Sequence, residues 1–184
     1  MASNALLALA AATTPAAPSP ALLDALEAVL AQDSATRALE QWCAARRIAE
    51  PPVVRAQKRD IAPEAHQQAP DRLHRRLGVG PEEAIRLRHV HLTCGATTLS
   101  IAWNWYVPAR LTAAMNEALD GSDVPFGKVV APLRFRREAL PAVRGAADGC
   151  PPDTVITHRA RLVLPDRRPL AFVIECYTAA NLAK

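Results

Sequence analysis

From Ile85 to Cys94 polar and apolar positions alternate, with Arg86, Arg88, Val90, Leu92 and Cys94 on one side and Leu87, His89, His91 and Thr93 on the other. A period of two predicts a strand. Gly95-Ala96-Thr97-Thr98 supplies a turn, and Leu99 to Val107, with Ile101, Trp103 and Trp105 in step, predicts a second strand and so a hairpin. Thr154 to Leu164 and Leu170 to Thr178 are β-rich segments joined by Pro165-Asp166-Arg167-Arg168, a second hairpin. Near the start the period changes. Ser19-Pro20 places a capping residue before a proline, and Leu22, Leu23, Leu26, Val29 and Leu30 recur at helical spacing. Asp33-Ser34 interrupts that run, and Leu39, Trp42 and Cys43 mark a second amphipathic helix ending in Arg46-Arg47.

Between these segments the pattern is weaker. Pro51-Pro52 stops the helical run, and residues 53–59 read as a short strand exposed on one side. Residues 60–82 mix three prolines with an amphipathic piece around Leu73 and Leu77, which predicts a loop with a helical turn or two. Leu111, Met115, Ala118 and Leu119 predict a helix over 109–120 closed by Gly121. A constrained loop over 122–127 follows, then strand-like Val129-Val130 and residues 133–136, and a Gly/Pro loop over 145–152. Helices at the start, one in the middle and paired hairpins elsewhere predict an α+β fold, an antiparallel sheet with helices packed on one face. Residues 1–19 are expected to form an Ala/Pro-rich disordered tail and 20–184 a single domain.

Half of the 184 residues are apolar and 22% are charged, the make-up of a globular chain. A net charge of +4 favours anionic partners, but the arginines are scattered and aromatics amount to only 4%, which argues against a nucleic-acid surface. A small carboxylate fits that charge as well as a polyanion does. Cys43, Cys94, Cys150 and Cys176 are widely spaced without a C-x-x-C pair, so reduced thiols in a cytoplasmic protein are expected. The apolar run Leu6-Leu7-Ala8-Leu9 lacks the basic residues that open a secretory signal, and no stretch approaches the eighteen or so apolar residues of a membrane span. A monomer is expected.

Glu175 stands out chemically, inside Leu170-Ala171-Phe172-Val173-Ile174-Glu175-Cys176-Tyr177. Strand parity puts it beside Val173 and Tyr177, opposite Phe172 and Ile174. A carboxylate there reaches solvent in a cleft, pairs with an arginine or takes a proton, so it is either a functional acid or a member of a structural ion pair. Arg86 and Arg88 share a face with Val90 and Leu92. Each offers a bidentate clamp for a carboxylate, or else a partner for Glu175 or a snorkelling edge residue. His89 and His91 form an H-x-H pair, but no further ligand stands at a recognisable spacing, so no metal is predicted. Trp103-Asn104-Trp105-Tyr106 reads as hairpin packing and Arg134, Arg136 and Arg137 as a solvated face.

In the order of these segments the chain resembles the chorismate lyases, which convert chorismate to 4-hydroxybenzoate and pyruvate at the entry to ubiquinone synthesis. The likeness covers most of the chain after residue 20. Leu22-Leu23-Asp24, Asp33-Ser34-Ala35-Thr36 and Glu40-Gln41 resemble that family's N-terminal helices, and Arg88 before His91-Leu92-Thr93-Cys94 resembles its substrate-binding arginine strand. Val107-Pro108 is similar to a strand end of the family, Pro125-Phe126-Gly127 to its P-L-G loop, and Arg159 to Glu175 to its closing hairpin with the catalytic glutamate. The resemblance implies a sheet of about six strands with helices over a buried ligand cavity.

It also implies a carbon–oxygen lyase without a cofactor, acting on a small anionic aromatic or cyclohexadiene carboxylate. In that reading Arg88, with Arg86 beside it, holds the substrate carboxylate, and Glu175 as general acid protonates the departing enolpyruvyl group. Phe126 and Gly127 replace a Leu-Gly pair that contacts the ligand, and Ala35 stands where the family carries a methionine. The same fold also occurs as the ligand-sensing domain of transcriptional regulators, so a non-catalytic effector-binding domain is the alternative. Residues 1–50 offer a tail and two helices but no helix-turn-helix module.

Overall fold

A computed structural model describes residues 19–61 and 70–183. The alternating segments pair as the pattern predicts. β2 (Arg86–Cys94) and β3 (Thr97–Tyr106) form the first hairpin, and β6 (Thr154–Val163) and β7 (Pro169–Thr178) the second. Gly95 turns the first with φ +57°, and a Cβ there would come 2.8 Å from Ala49 Cβ, so glycine is required twice over. β7 pairs with β3 and joins the two hairpins. β1 (Val54–Lys58) borders β2, while β4 (Arg136–Ala139) and β5 (Val143–Arg144) both pair with β6. The result is a seven-stranded antiparallel sheet ordered β1-β2-β3-β7-β6-β4, with β5 off that path. Central β7 is covered on both sides, which explains its nearly continuous apolar run.

Parity assigns the helices to faces. α1 (Pro20–Leu30) and α2 (Ala35–Ala45) bury Leu26, Leu30, Leu39 and Trp42 against Val90, Leu92, Ala102 and Tyr177. α4 (Ala113–Gly121) and α5 (Phe126–Val129) add Leu119 and Phe126 beside Tyr106, Leu162, Ala171 and Val173 of the same face. These four helices share one side of the sheet, giving the expected α+β fold. A further short helix, α3 (Pro70–Leu77), places Leu73 and Leu77 on Trp105, Phe172 and Ile174 of the other side.

The middle of the chain departs from the sequence reading in detail. The helix expected over 109–120 begins later, after a 3₁₀ turn at Pro108–Arg110, because the Thr112 hydroxyl caps α4 by accepting from Met115 N at 3.2 Å. Phe126–Val129 is helical where a loop and a strand are predicted. Four residues are too few to show a period. The segment Ala131–Leu133 is a second 3₁₀ turn, and Arg134 leaves it with φ 52° before β4 starts.

The cysteine expectation is corrected. Cys43 bonds Cys94 and Cys150 bonds Cys176, leaving no free thiol among the four. Partners lie 51 and 26 residues apart on different elements, so linear spacing held no trace of the pairing. Residues 1–18 of the predicted tail lie outside the described residues, and Ser19 stands at the N-cap of α1. Among those described, no helix is long and apolar enough to cross a membrane.

Candidate ligand-binding site

Between the helical layer and the sheet lies a cavity of about 40 Å³, large enough to hold water. Its floor is the helix-facing side of four strands: Val90 and Leu92, Ala102 and Asn104, Val173 and Glu175, and Leu162. Two helix starts form the walls, Asp33 to Thr36 at α2 and Pro125 to Gly127 at α5, and Phe135 and Arg137 close it beside β4. The walls meet closely, since a Cβ on Gly127 would stand 3.8 Å from Thr36 Oγ1. Ser34 caps α2 by accepting from Arg37 N at 3.3 Å. The earlier N–H groups of that helix have no intrahelical acceptor.

The floor is polar at one end. Arg137 Nη2 donates to Glu175 Oε2 at 2.6 Å and Nη1 to Oε1 at 3.5 Å, while the Tyr177 hydroxyl donates to Oε2 at 3.1 Å. The Arg137 and Glu175 side chains are only 6% and 8% exposed. β4 delivers Arg137 from outside β6, where it stands opposite Leu162, and the side chain reaches across to β7. Burial lowers the Arg137 pKa, but the Glu175 carboxylate more than offsets this and the net shift is upward. Burial first, and the same carboxylate second, push the Tyr177 hydroxyl well above its ordinary value.

Two readings change here. Arg137 is not part of a solvated face. Glu175 is not an isolated acid among apolar neighbours but a carboxylate held by donors from two side chains, the ion-pair alternative raised by its sequence context. The signal for Arg137 was present in the parity of Phe135 and Arg137, which face inward together while Arg134 and Arg136 are exposed.

His158 stands opposite Glu175 in the ladder, with its ring 5.2 Å from that of Tyr177. Burial lowers its pKa; Arg137 adds to that while Glu175 and Glu27 oppose it. The folded state therefore refuses a proton that the unfolded chain accepts at the ordinary value of about 6.5. Stability is full above that pH and falls as the pH drops from there to the lower folded-state pKa. His91, lowered by burial, then Arg59 and His89, works in the same direction. The melting temperature should decline between pH 7 and pH 5, and His158→Gln should flatten that decline. An unchanged slope in thermal melts of the variant would contradict the assignment.

Arg88 occupies the next inward position of β2 after Val90, directly opposite Asn104. It is 5% exposed, yet its guanidinium has weak partners. Nη2 donates to Ser122 O at 3.4 Å and Val124 O at 3.3 Å, while Nε and Nη1 have none. Burial lowers its pKa against the attraction of Tyr106 and Asp120. It does not line the cavity itself; Asn104 does. Arg86 points to solvent and pairs with Asp120 at 3.0 Å, away from the cavity. Thus the structure brings together Glu175, Ala35, Phe126 and Gly127, sets Arg88 beside them and leaves Arg86 outside. The cavity residues Asn104 and Arg137, with Tyr177 bonded to Glu175, were not singled out from sequence.

His89 and His91 lie on the opposite face, His89 stacked on Trp103 with ring centroids 4.9 Å apart. Among the described residues no three His, Cys, Asp or Glu side chains gather as a metal site.

No family model matches this chain. Over 179 residues it is 40% identical to y4mC, an uncharacterized protein of Sinorhizobium fredii, covering 86% of this chain and 74% of that one. The chain belongs to the same family as y4mC. Among solved structures, the effector domain of PhnF from Mycobacterium smegmatis gives a TM-score of 0.51 at 10% identity, covering 79% of this chain and 88% of that one. The ligand-binding domain of a GntR-family transcriptional regulator from Bordetella bronchiseptica gives 0.48 at 16% identity, over 67% and 82%.

The expectation of a carbon–oxygen lyase is corrected by these findings. The fold is shared with the effector domain of PhnF, and the expected general acid is held by hydrogen bonds from Arg137 and Tyr177.

Proposed function

We propose that this chain, over residues 20–184, is a non-catalytic domain that binds a small organic carboxylate, of the aromatic or cyclohexadiene class, in the cavity beside Arg88. One observation carries the reading: a guanidinium that is 5% exposed has two nitrogens without any partner. A buried charge with unmet donors is costly, and an incoming carboxylate relieves that cost with a bidentate pair. Such a ligand lies over Val90, Leu92 and Val173, with its far polar group toward the Glu175–Arg137 pair. Backbone N–H groups near Ala35, Phe126 and Gly127 complete the anion contacts. Arg88 does not itself line the cavity, so the carboxylate reaches it past Asn104, the lining residue opposite it on β3. The name of the PhnF effector domain agrees with this role.

The test is to mix the protein with 4-hydroxybenzoate and, separately, with chorismate, and to follow both by proton NMR against protein-free controls. Saturable line broadening with the ligand recovered intact is expected. Pyruvate formed faster than in the control would contradict the non-catalytic reading, and no binding of either carboxylate would contradict the site.

A further inference from the structure

All four cysteines of the chain are consumed in two bonds that tie distant segments together. Cys43–Cys94 fastens α2 to the end of β2 on the cavity side of the sheet, and Cys150–Cys176 fastens the 145–152 loop to β7 on the other side. The Cα separations, 6.5 and 5.6 Å, both fall in the range a disulfide spans without backbone movement. Cys43, Cys94 and Cys176 are fully buried. Cys150 is different: it sits in an irregular loop between the exposed Gly149 and Pro152, yet packs with the cluster of Trp105, Phe172 and Ile174.

A domain of this length buries enough apolar surface to fold without covalent staples, so a shortage of core does not account for the two bonds. Redox environment does, because disulfides persist in oxidising compartments and are rare where glutathione and thioredoxin keep thiols reduced.

We propose that the domain is formed and works in an oxidising, extracytoplasmic compartment, so that whatever its cavity binds is met outside the reducing cytosol. Each bond forms by exchange with the disulfide form of a thiol oxidase: two thiols of this chain become one disulfide, and the oxidase disulfide takes up the two electrons and two protons and leaves as a dithiol. The inference rests on the cysteine pairs, not on the N-terminal sequence, whose Leu6-Leu7-Ala8-Leu9 run lacks the basic residues of a secretory signal, and it stands whether or not the ligand reading holds.

The test uses cells that naturally make the full chain, quenched in acid so that thiols cannot exchange, denatured, and treated with a polyethylene glycol maleimide that retards a protein on a gel once per free thiol. No retarded species before reduction and four additions after it are expected. Additions to the unreduced protein would overturn the proposal, as would recovery of the chain with the cytosolic fraction after osmotic shock. On the purified oxidised protein, a reductant should lower the melting temperature by about 15–30 °C, the sum for closed loops of these lengths. An unchanged melting temperature would show that the bonds are not part of the working fold.

Discussion

Arg137→Met is expected to lower folding stability by about 3–5 kcal/mol, because it leaves the Glu175 carboxylate buried with Tyr177 as its remaining side-chain partner. For a domain of this size that is a fall in melting temperature of roughly 10 °C or more. Both side chains are nearly inaccessible, so solvent and salt screen the pair little. The double replacement Arg137→Met with Glu175→Leu should recover most of the loss, since it removes both desolvated charges and fills the space with apolar groups. Urea unfolding of the three proteins checks this. A single variant within 1 kcal/mol of the parent would mean that the ion pair does not hold the cavity floor.

The second large effect has the opposite sign. Arg88→Met should stabilise the ligand-free protein by about 1–3 kcal/mol, because the removed guanidinium has two buried nitrogens without acceptors. The same substitution should weaken binding of 4-hydroxybenzoate by about 10–100-fold, the worth of a charge-assisted pair. Stability and affinity moving in opposite directions mark a residue kept for a ligand. If the variant were less stable and bound as well as the parent, Arg88 would be an architectural residue. Arg86→Met, altering an exposed pair with Asp120, should change neither measurement appreciably.

Local pattern revealed those parts of the molecule whose cause is local. The alternation over 85–94 and the apolar run over 170–174 gave strands and faces, and parity alone placed Glu175 with Val173 and Tyr177 on one side of β7. The helical spacing of Leu22, Leu26 and Leu30 similarly located α1. What could not be read depended on pairing between distant segments. Arg137 reaches Glu175 only because β4 docks on β6 with Arg137 opposite Leu162, a register set by the whole sheet. The partners of Cys43 and Cys150 are likewise chosen by tertiary packing. α5 escaped notice because one helical turn carries no periodicity, although its Pro125-Phe126-Gly127 start was marked as a ligand contact through family resemblance.

The direct test of ligand binding at Arg88 is a titration of protein carrying ¹⁵N-labelled arginine with 4-hydroxybenzoate, observing the guanidinium Nε–H signals. In the free protein Arg88 Nε–H has no acceptor. On binding, its signal should move downfield as it gains a carboxylate partner, saturating with one ligand per chain, while the signal of exposed Arg86 stays in place. Saturable binding that leaves the Arg88 signal unmoved, or that shifts arginines remote from the cavity instead, would contradict the assignment of the site.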